Sequence, residues 1–154
     1  MRIKIYTTGG SIDKSYSTQD SAFVVADPQI EAILREANTG FEYEVESILK
    51  KDSLEITDDD RRAILDRVKT DPHRHIIITH GTDTMIATAQ VLSQIRDKVI
   101  VLTGAMQPAA FNVGCAALAV QTLAEGVYVV MNGRIFDPHG ARKNLELDRF
   151  EEHP

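Results

Sequence analysis

Four hydroxyl side chains, one amine and one carboxylate stand where they could act together. The hydroxyls are Thr8 and Ser11 in "YTTGGSIDKSY", Tyr16 at the end of that stretch, and Thr82 in "HGTDT"; the amine is Lys143 in "ARKN" and the carboxylate is Asp83. An alcohol is a weak nucleophile at neutral pH until a neighbour takes its proton. A lysine can do so when burial and nearby charge lower its pKa. With backbone N–H groups to hold an oxyanion, this is equipment for acyl transfer at an amide or an ester. Taken singly, each residue has a plainer account. Thr82 or Asp83 can cap a helix, Lys143 fits a solvated surface, and a histidine such as His80, placed before Gly81, is commonly a loop hydrogen-bonder. No HExxH or Cys/His spacing suggests a metal, and neither a P-loop nor a GxGxxG turn suggests a nucleotide, so no cofactor is expected.

The elements that must position these residues are legible in the hydrophobic periodicity. Strands are predicted over 2–7, 43–49, 75–79, 98–103 and 127–131, with a weaker one around Val24 and Val25. Between them run helices. One is predicted with Asp27 as cap, Pro28 in its first turn, and Ile30, Ile33, Leu34 and Ala37 on one face. A second starts at a Thr57/Asp60 capping box and stops at Asp71-Pro72; a third covers 83–96; a fourth is opened by Pro108. Strand alternating with helix means an α/β fold: an open, mostly parallel sheet with helices on both faces, three-layered and Rossmann-like. Ligands of such sheets bind outside the carboxyl ends of the strands. There this chain has "TTGGS", "KKDS", "HGTDT", "TGAMQP" and "NGRIFDPHGARKN". Turn chemistry alone explains any one of these loops, but four polar loops converging on one edge point to a site.

Composition limits what the site can serve. The 154 residues suit one domain with one core over 1–154, and the formal net charge of −6 leaves no general basic field for nucleic acid or an anionic membrane. The single cysteine, Cys115 in "GCAALAV", reads as a packed hydrophobe, since one cysteine cannot form an internal disulfide. With no leader pattern and no apolar stretch of membrane-spanning length, a cytoplasmic location is expected.

The blocks "TTGGSIDKSY", "KKDSLEITDDD", "IIITHGTDTMIATAQVL", "VIVLTGAMQPA" and "VVMNGRIFDPHGARKN" resemble, in order, the successive motifs of the bacterial-type L-asparaginase family, over nearly the whole chain. Members are usually about twice this long with a second, C-terminal domain, so the chain resembles a short single-domain branch. The resemblance implies Ser11 as nucleophile, Tyr16 as the tyrosine of a mobile lid over 12–23, and Thr82 working with Lys143. It also implies Ser53 for a substrate α-carboxylate and Asp83 for its α-ammonium. Three features depart from the pattern. Ser11 stands where the family has threonine, Leu54 stands where long members carry a polar residue, and a single-domain chain is expected to lack the C-terminal domain that completes the amino-group site in long members.

The expected activity is hydrolysis of L-asparagine to L-aspartate and ammonia through a β-aspartyl ester on Ser11, by a homodimer acting without metal, nucleic acid or membrane. Two alternatives stay open: a non-catalytic amino-acid-binding domain, and the amidase subunit of a tRNA-dependent amidotransferase.

Overall fold

The computed structural model describes residues 1–25, 28–106 and 108–154, with the backbone alone at 15–17 and 23–25. Its elements in chain order are β1 (Arg2–Gly9), β2 (Lys14–Ser17), β3 (Ala22–Val25), α1 (Ile30–Glu36), β4 (Glu42–Lys51), α2 (Asp58–Thr70), β5 (His75–Thr79), α3 (Met85–Leu92), β6 (Val99–Thr103), α4 (Ala109–Thr122), β7 (Gly126–Met131), β8 (Arg134–Phe136), β9 (Ala141–Asn144) and β10 (Arg149–Glu152). Six strands form one sheet in the order β4-β1-β5-β6-β7-β8. All neighbours are parallel except β7 and β8.

Helices cover both faces, which is why the central strands are apolar without alternation. Ile76, Ile78, Ile100, Leu102 and Val129 point to the side where α2 and α3 contribute Ile64, Val68, Met85, Ala89 and Leu92. Ile3, Ile5, Ile77, Val99 and Val101 point to the other side, against Ile30 and Leu34 of α1 and Val113, Ala116 and Val120 of α4. Cys115 packs at the margin of that second layer, in keeping with its apolar setting. This is the three-layer α/β sandwich that the periodicity predicts.

Local signals set most boundaries. Thr57 accepts from Asp60 N–H while the Asp60 carboxylate accepts from Thr57 N–H, so the predicted capping box starts α2. Two predicted helices are corrected. α1 begins at Ile30 with Gln29 as its cap, so Pro28 precedes it and is not in its first turn; Asp27 lies outside the described residues. α3 covers only Met85–Leu92 of the predicted 83–96, because Ser93 caps it; Ile95 is nonetheless buried in the following turn. The tail after the fifth predicted strand, which reads as loop in the sequence, is more ordered than expected. It supplies β8 and the antiparallel hairpin β9–β10. The stretch 12–23 likewise contains β2, which pairs antiparallel with β3.

Candidate active site

β1 lies between β4 and β5 although β4 follows it in sequence, so the chain reverses its winding direction there. The crevice between the carboxyl ends of β1 and β5 is therefore the topological switch point, the usual ligand position in an open α/β sheet. Three polar loops meet at it. Gly10, with φ of 81°, packs so closely that a Cβ on it would lie 2.5 Å from Gly81 N, and a Cβ on Gly81 would lie 2.5 Å from Ser53 Cβ. Any larger residue at 10 or 81 would push the loops apart. This accounts for the glycine directly before Ser11.

Ser11 begins a short 3-10 turn, Ser11–Asp13, and is exposed at the crevice rim. Asp13 closes that turn: its N–H donates to Gly10 O at 3.1 Å, and its buried carboxylate accepts from Gln29 N–H at 3.1 Å. Burial pushes the Asp13 carboxyl up to about 6, against the lowering effects of the Gln29 bond and Lys50. Lys14 pairs with Asp52 at 2.6 Å and so fastens the start of β2 to the loop after β4. The bond from Lys14 is the main cause that holds Asp52 below the usual carboxylate range.

On the β5 side, Lys143 Nζ donates to Thr82 Oγ1 at 2.8 Å and to Asp83 Oδ1 at 2.9 Å. The amine is mostly shielded, with 18% side-chain exposure, while Asp83 is 41% exposed. Ser53 is buried beside Gly81, and its carbonyl accepts from Thr84 Oγ1 at 2.7 Å, which ties the loop after β4 to the start of α3. Lys143 itself is placed from a distance. Asn132 Oδ1 accepts from Phe150 N–H at 2.8 Å, Phe150 packs against Phe136, and His153 N–H donates to Gly140 O at 2.8 Å, so the β9–β10 hairpin is docked on the end of the sheet.

The structure thus brings Thr82, Asp83 and Lys143 into direct contact, sets Ser53 against Gly81, and joins Ser11 to them through Gly10. Tyr16 belongs to β2, and its side chain lies outside the described residues. Thr8 leaves the set of candidate nucleophiles: it is fully buried and donates to Thr79 O at 2.8 Å. His80 is buried with both ring nitrogens bonded. The residues that sequence reasoning missed are the ones that hold others in place: Asp13, Lys14, Asp52 and Asn132. Their roles depend on partners 16 or more positions away, which no local pattern announces.

Comparison with known proteins agrees with this fold. A family model for "Asparaginase, N-terminal" matches residues 2–151. The chain belongs to the asparaginase family. Among solved structures, this asparaginase-family chain is similar to the thermostable L-asparaginase from Thermococcus kodakarensis, with a TM-score of 0.83 and 27% identity over 100% of this chain and 52% of that one. It is also similar to the Campylobacter jejuni protein described as a "Probable Cytoplasmic L-asparaginase", with a TM-score of 0.81 and 28% identity over 98% of this chain and 52% of that one. A glutaminase-asparaginase of Acinetobacter glutaminasificans is 29% identical over 170 aligned positions, which are 94% of this chain and 50% of that protein. The chain therefore spans about half the length of these relatives. A shorter match, 45% identical over 71 residues, is to one of the subunits of the glutamyl-tRNA(Gln) amidotransferase of Methanococcus vannielii, covering 40% of this chain and 17% of that protein. Among the described residues no group of three or more His, Cys, Asp or Glu could hold a metal ion, and no helix is long and apolar enough to cross a membrane.

Proposed function

We propose that this asparaginase-family chain is an amidohydrolase that converts L-asparagine and water to L-aspartate and ammonia. The observation that carries the reading is the Lys143 amine bonded to Thr82 Oγ1 at 2.8 Å and to Asp83 at 2.9 Å, at the switch point of the sheet. In its neutral form the amine can take a proton from a hydroxyl, and Thr82 is the hydroxyl it touches. Ser11 Oγ attacks the carboxamide carbon, its proton passes to the Thr82–Lys143 pair and on to the leaving nitrogen, and ammonia departs from a β-aspartyl ester. Water then attacks that ester, and the proton returns to Ser11. Asp83 and Ser53 hold the substrate's ammonium and carboxylate, Tyr16 closes over it from the β2–β3 hairpin, and the reaction takes place in the cytoplasm. The names of the Thermococcus and Acinetobacter relatives support the substrate class.

Ammonia release from L-asparagine tests this reading, with an intact-mass search for an adduct during turnover. An adduct of aspartyl mass on the peptide containing Ser11, lost in Ser11→Ala, is expected. An adduct on Thr82, or an active Ser11→Ala variant, would overturn the assignment. The fit of a compact site predicts a higher kcat/KM for asparagine than for glutamine, since one methylene is worth about 1–3 kcal/mol in a fitted pocket. The partial likeness to the Methanococcus amidotransferase favours a second reading, in which the same amidase chemistry serves a partner chain. Turnover that appears only with a partner present would favour it.

A further inference from the structure

The chemistry proposed for Thr82 requires that its hydroxyl stay in front of Lys143, yet Thr82 follows a glycine. What restrains it is His80. His80 Nδ1 lies 2.7 Å from Gly81 O, and Nε2 lies 2.8 Å from Thr88 Oγ1. Arg61 Nε–H donates to that same Thr88 oxygen at 3.2 Å, and Arg61 Nη1 reaches Asp58 at 3.3 Å. His80 and Thr88 are fully buried, and Arg61 is 8% exposed.

These contacts fix the protons of the chain of bonds. A carbonyl oxygen can only accept, so Nδ1 must carry the hydrogen that faces Gly81. A guanidinium N–H can only donate, so Thr88 Oγ1 accepts from Arg61, and its own O–H is available to donate to Nε2. Nε2, a bare lone pair in the neutral Nδ1–H ring, accepts the hydrogen bond from the Thr88 O–H. The direction of donation therefore runs one way, from Arg61 through Thr88 and His80 to the Gly81 carbonyl. A protonated ring would place a second buried cation beside that of Arg61. Accordingly, burial first and Arg61 second depress the ring to about 4, against the opposing effect of the Gly81 bond.

We propose that His80 is the positioning residue for Thr82: the Gly81 carbonyl sets its Nδ1–H tautomer, Thr88 complements it by donating to Nε2, and the Nδ1–H bond locks the Gly81–Thr82 peptide so that Thr82 meets Lys143. The neighbouring backbone strengthens the hold, because His80 N–H is itself bonded to Thr103 O at 2.9 Å. The inference deepens the amidohydrolase reading and rests on it for its kinetic consequence. Its structural content can be tested without turnover.

Two measurements separate the inference from that reading. In the long-range proton–nitrogen spectrum of ring-labelled protein, His80 is expected to show a protonated Nδ1 and a bare Nε2, unchanged from pH 8 to pH 5. A protonated Nε2 in the wild-type chain overturns the proposal whatever the activity. The second measurement compares His80→Asn, whose amide can still donate towards Gly81 O, with His80→Leu, which cannot. His80→Leu is expected to raise the rate of Lys143 acetylation several-fold and to lower kcat for asparagine at least tenfold below the Asn variant, with KM within about twofold, as small misplacement of reacting groups does. Equal acetylation rates in two folded variants overturn the proposal. If the wild-type chain releases no ammonia, the amidohydrolase reading fails, and the tautomer and acetylation results decide the positioning role by themselves.

Discussion

Lys143 and Lys4 are both held by carboxylates, and what else surrounds each amine differs. Lys4, in the amino-terminal half of β1, is 3% exposed and bonded to Glu44 at 2.5 Å and Glu46 at 2.8 Å. Burial alone would lower its pKa, but the bonds to the two glutamates outweigh it and hold the amine above its ordinary value. Arg67 closes the same cluster with two bonds to Glu46. Lys143, at the carboxyl edge, meets one carboxylate and one hydroxyl. Two carboxylates fix a charge; in the proposed mechanism a hydroxyl in place of the second would give the proton somewhere to go. Two buried aspartates among the described residues repeat the contrast. Asp71 receives Tyr6 O–H, His73 N–H and His73 Nδ1, and these donors overcome its desolvation and keep its carboxyl below the usual range. Asp13, at the site, is raised to about 6 by burial. In these two pairs the satisfied charges lie towards the amino ends of the strands and the less satisfied ones towards the carboxyl ends.

The largest test of this contrast removes each amine in turn. Lys143→Met is expected to lower kcat by about two orders of magnitude or more, with an unchanged circular dichroism spectrum, the usual scale for loss of a positioned base. Normal turnover in the folded variant would return Lys143 to the role that Lys4 has. Lys4→Met is expected to do the reverse, leaving kcat per folded molecule near normal and costing about 1–2 kcal/mol in urea unfolding. That figure lies below the cost of breaking a fully buried pair, because both glutamates are partly exposed. A loss of activity without a loss of stability would erase the distinction.

A smaller effect concerns Ser11. The methyl of threonine restricts χ1, so Ser11→Thr is expected to raise kcat several-fold, in line with up to about 1 kcal/mol of rotamer freedom. Steady-state kinetics on asparagine measure it, and a fall in kcat would show that the turn has no space for the methyl.

The smallest expected effect is on stability against pH. Asp13 binds its proton more tightly folded, at about 6, than unfolded, so its destabilising effect at neutral pH is relieved as pH falls from about 6 to about 4. His80 works the other way. Its folded pKa of about 4 lies below the unfolded value, so stability is lost as pH falls from about 6.5 to about 4. The two partly offset. Asp13→Asn, which keeps an acceptor for Gln29, should therefore raise the urea midpoint at pH 7 and steepen its decline towards pH 4. An unchanged slope would mean that Asp13 does not titrate in that range.

The parallel sheet was legible because buried β5 and β6 read as unbroken apolar runs, and α2 because Thr57 and Asp60 stand three apart on its first turn. The candidate site could be outlined from the sequence because the loops that carry Ser11, Ser53, Thr82 and Asp83 each follow a strand. Lys143 was legible as a residue but not as part of a strand, since "ARKN" has no apolar alternation; β9 is held by its pairing with β10 and by Asn132. His80 is ambiguous in the sequence for a related reason. Its meaning depends on Thr88, eight positions on, and on Arg61 in a different helix, and side-chain chemistry across that distance has no period to read.

The three residues of β8 have a consequence beyond closing the fold. Without them the sheet would end on β7, whose "VYVVM" run would present a free apolar edge of unpaired N–H and C=O groups to other chains. β8 pairs with that edge antiparallel over Val129–Met131, and the new border is short and carries exposed Arg134 in an ion pair with Glu152. Short, charged borders are how β proteins avoid edge-to-edge polymerisation. During synthesis the β7 edge stays open until residues 134–136 are made, so a chain cut between Met131 and Arg134 is expected to aggregate more than the full one, which light scattering would read.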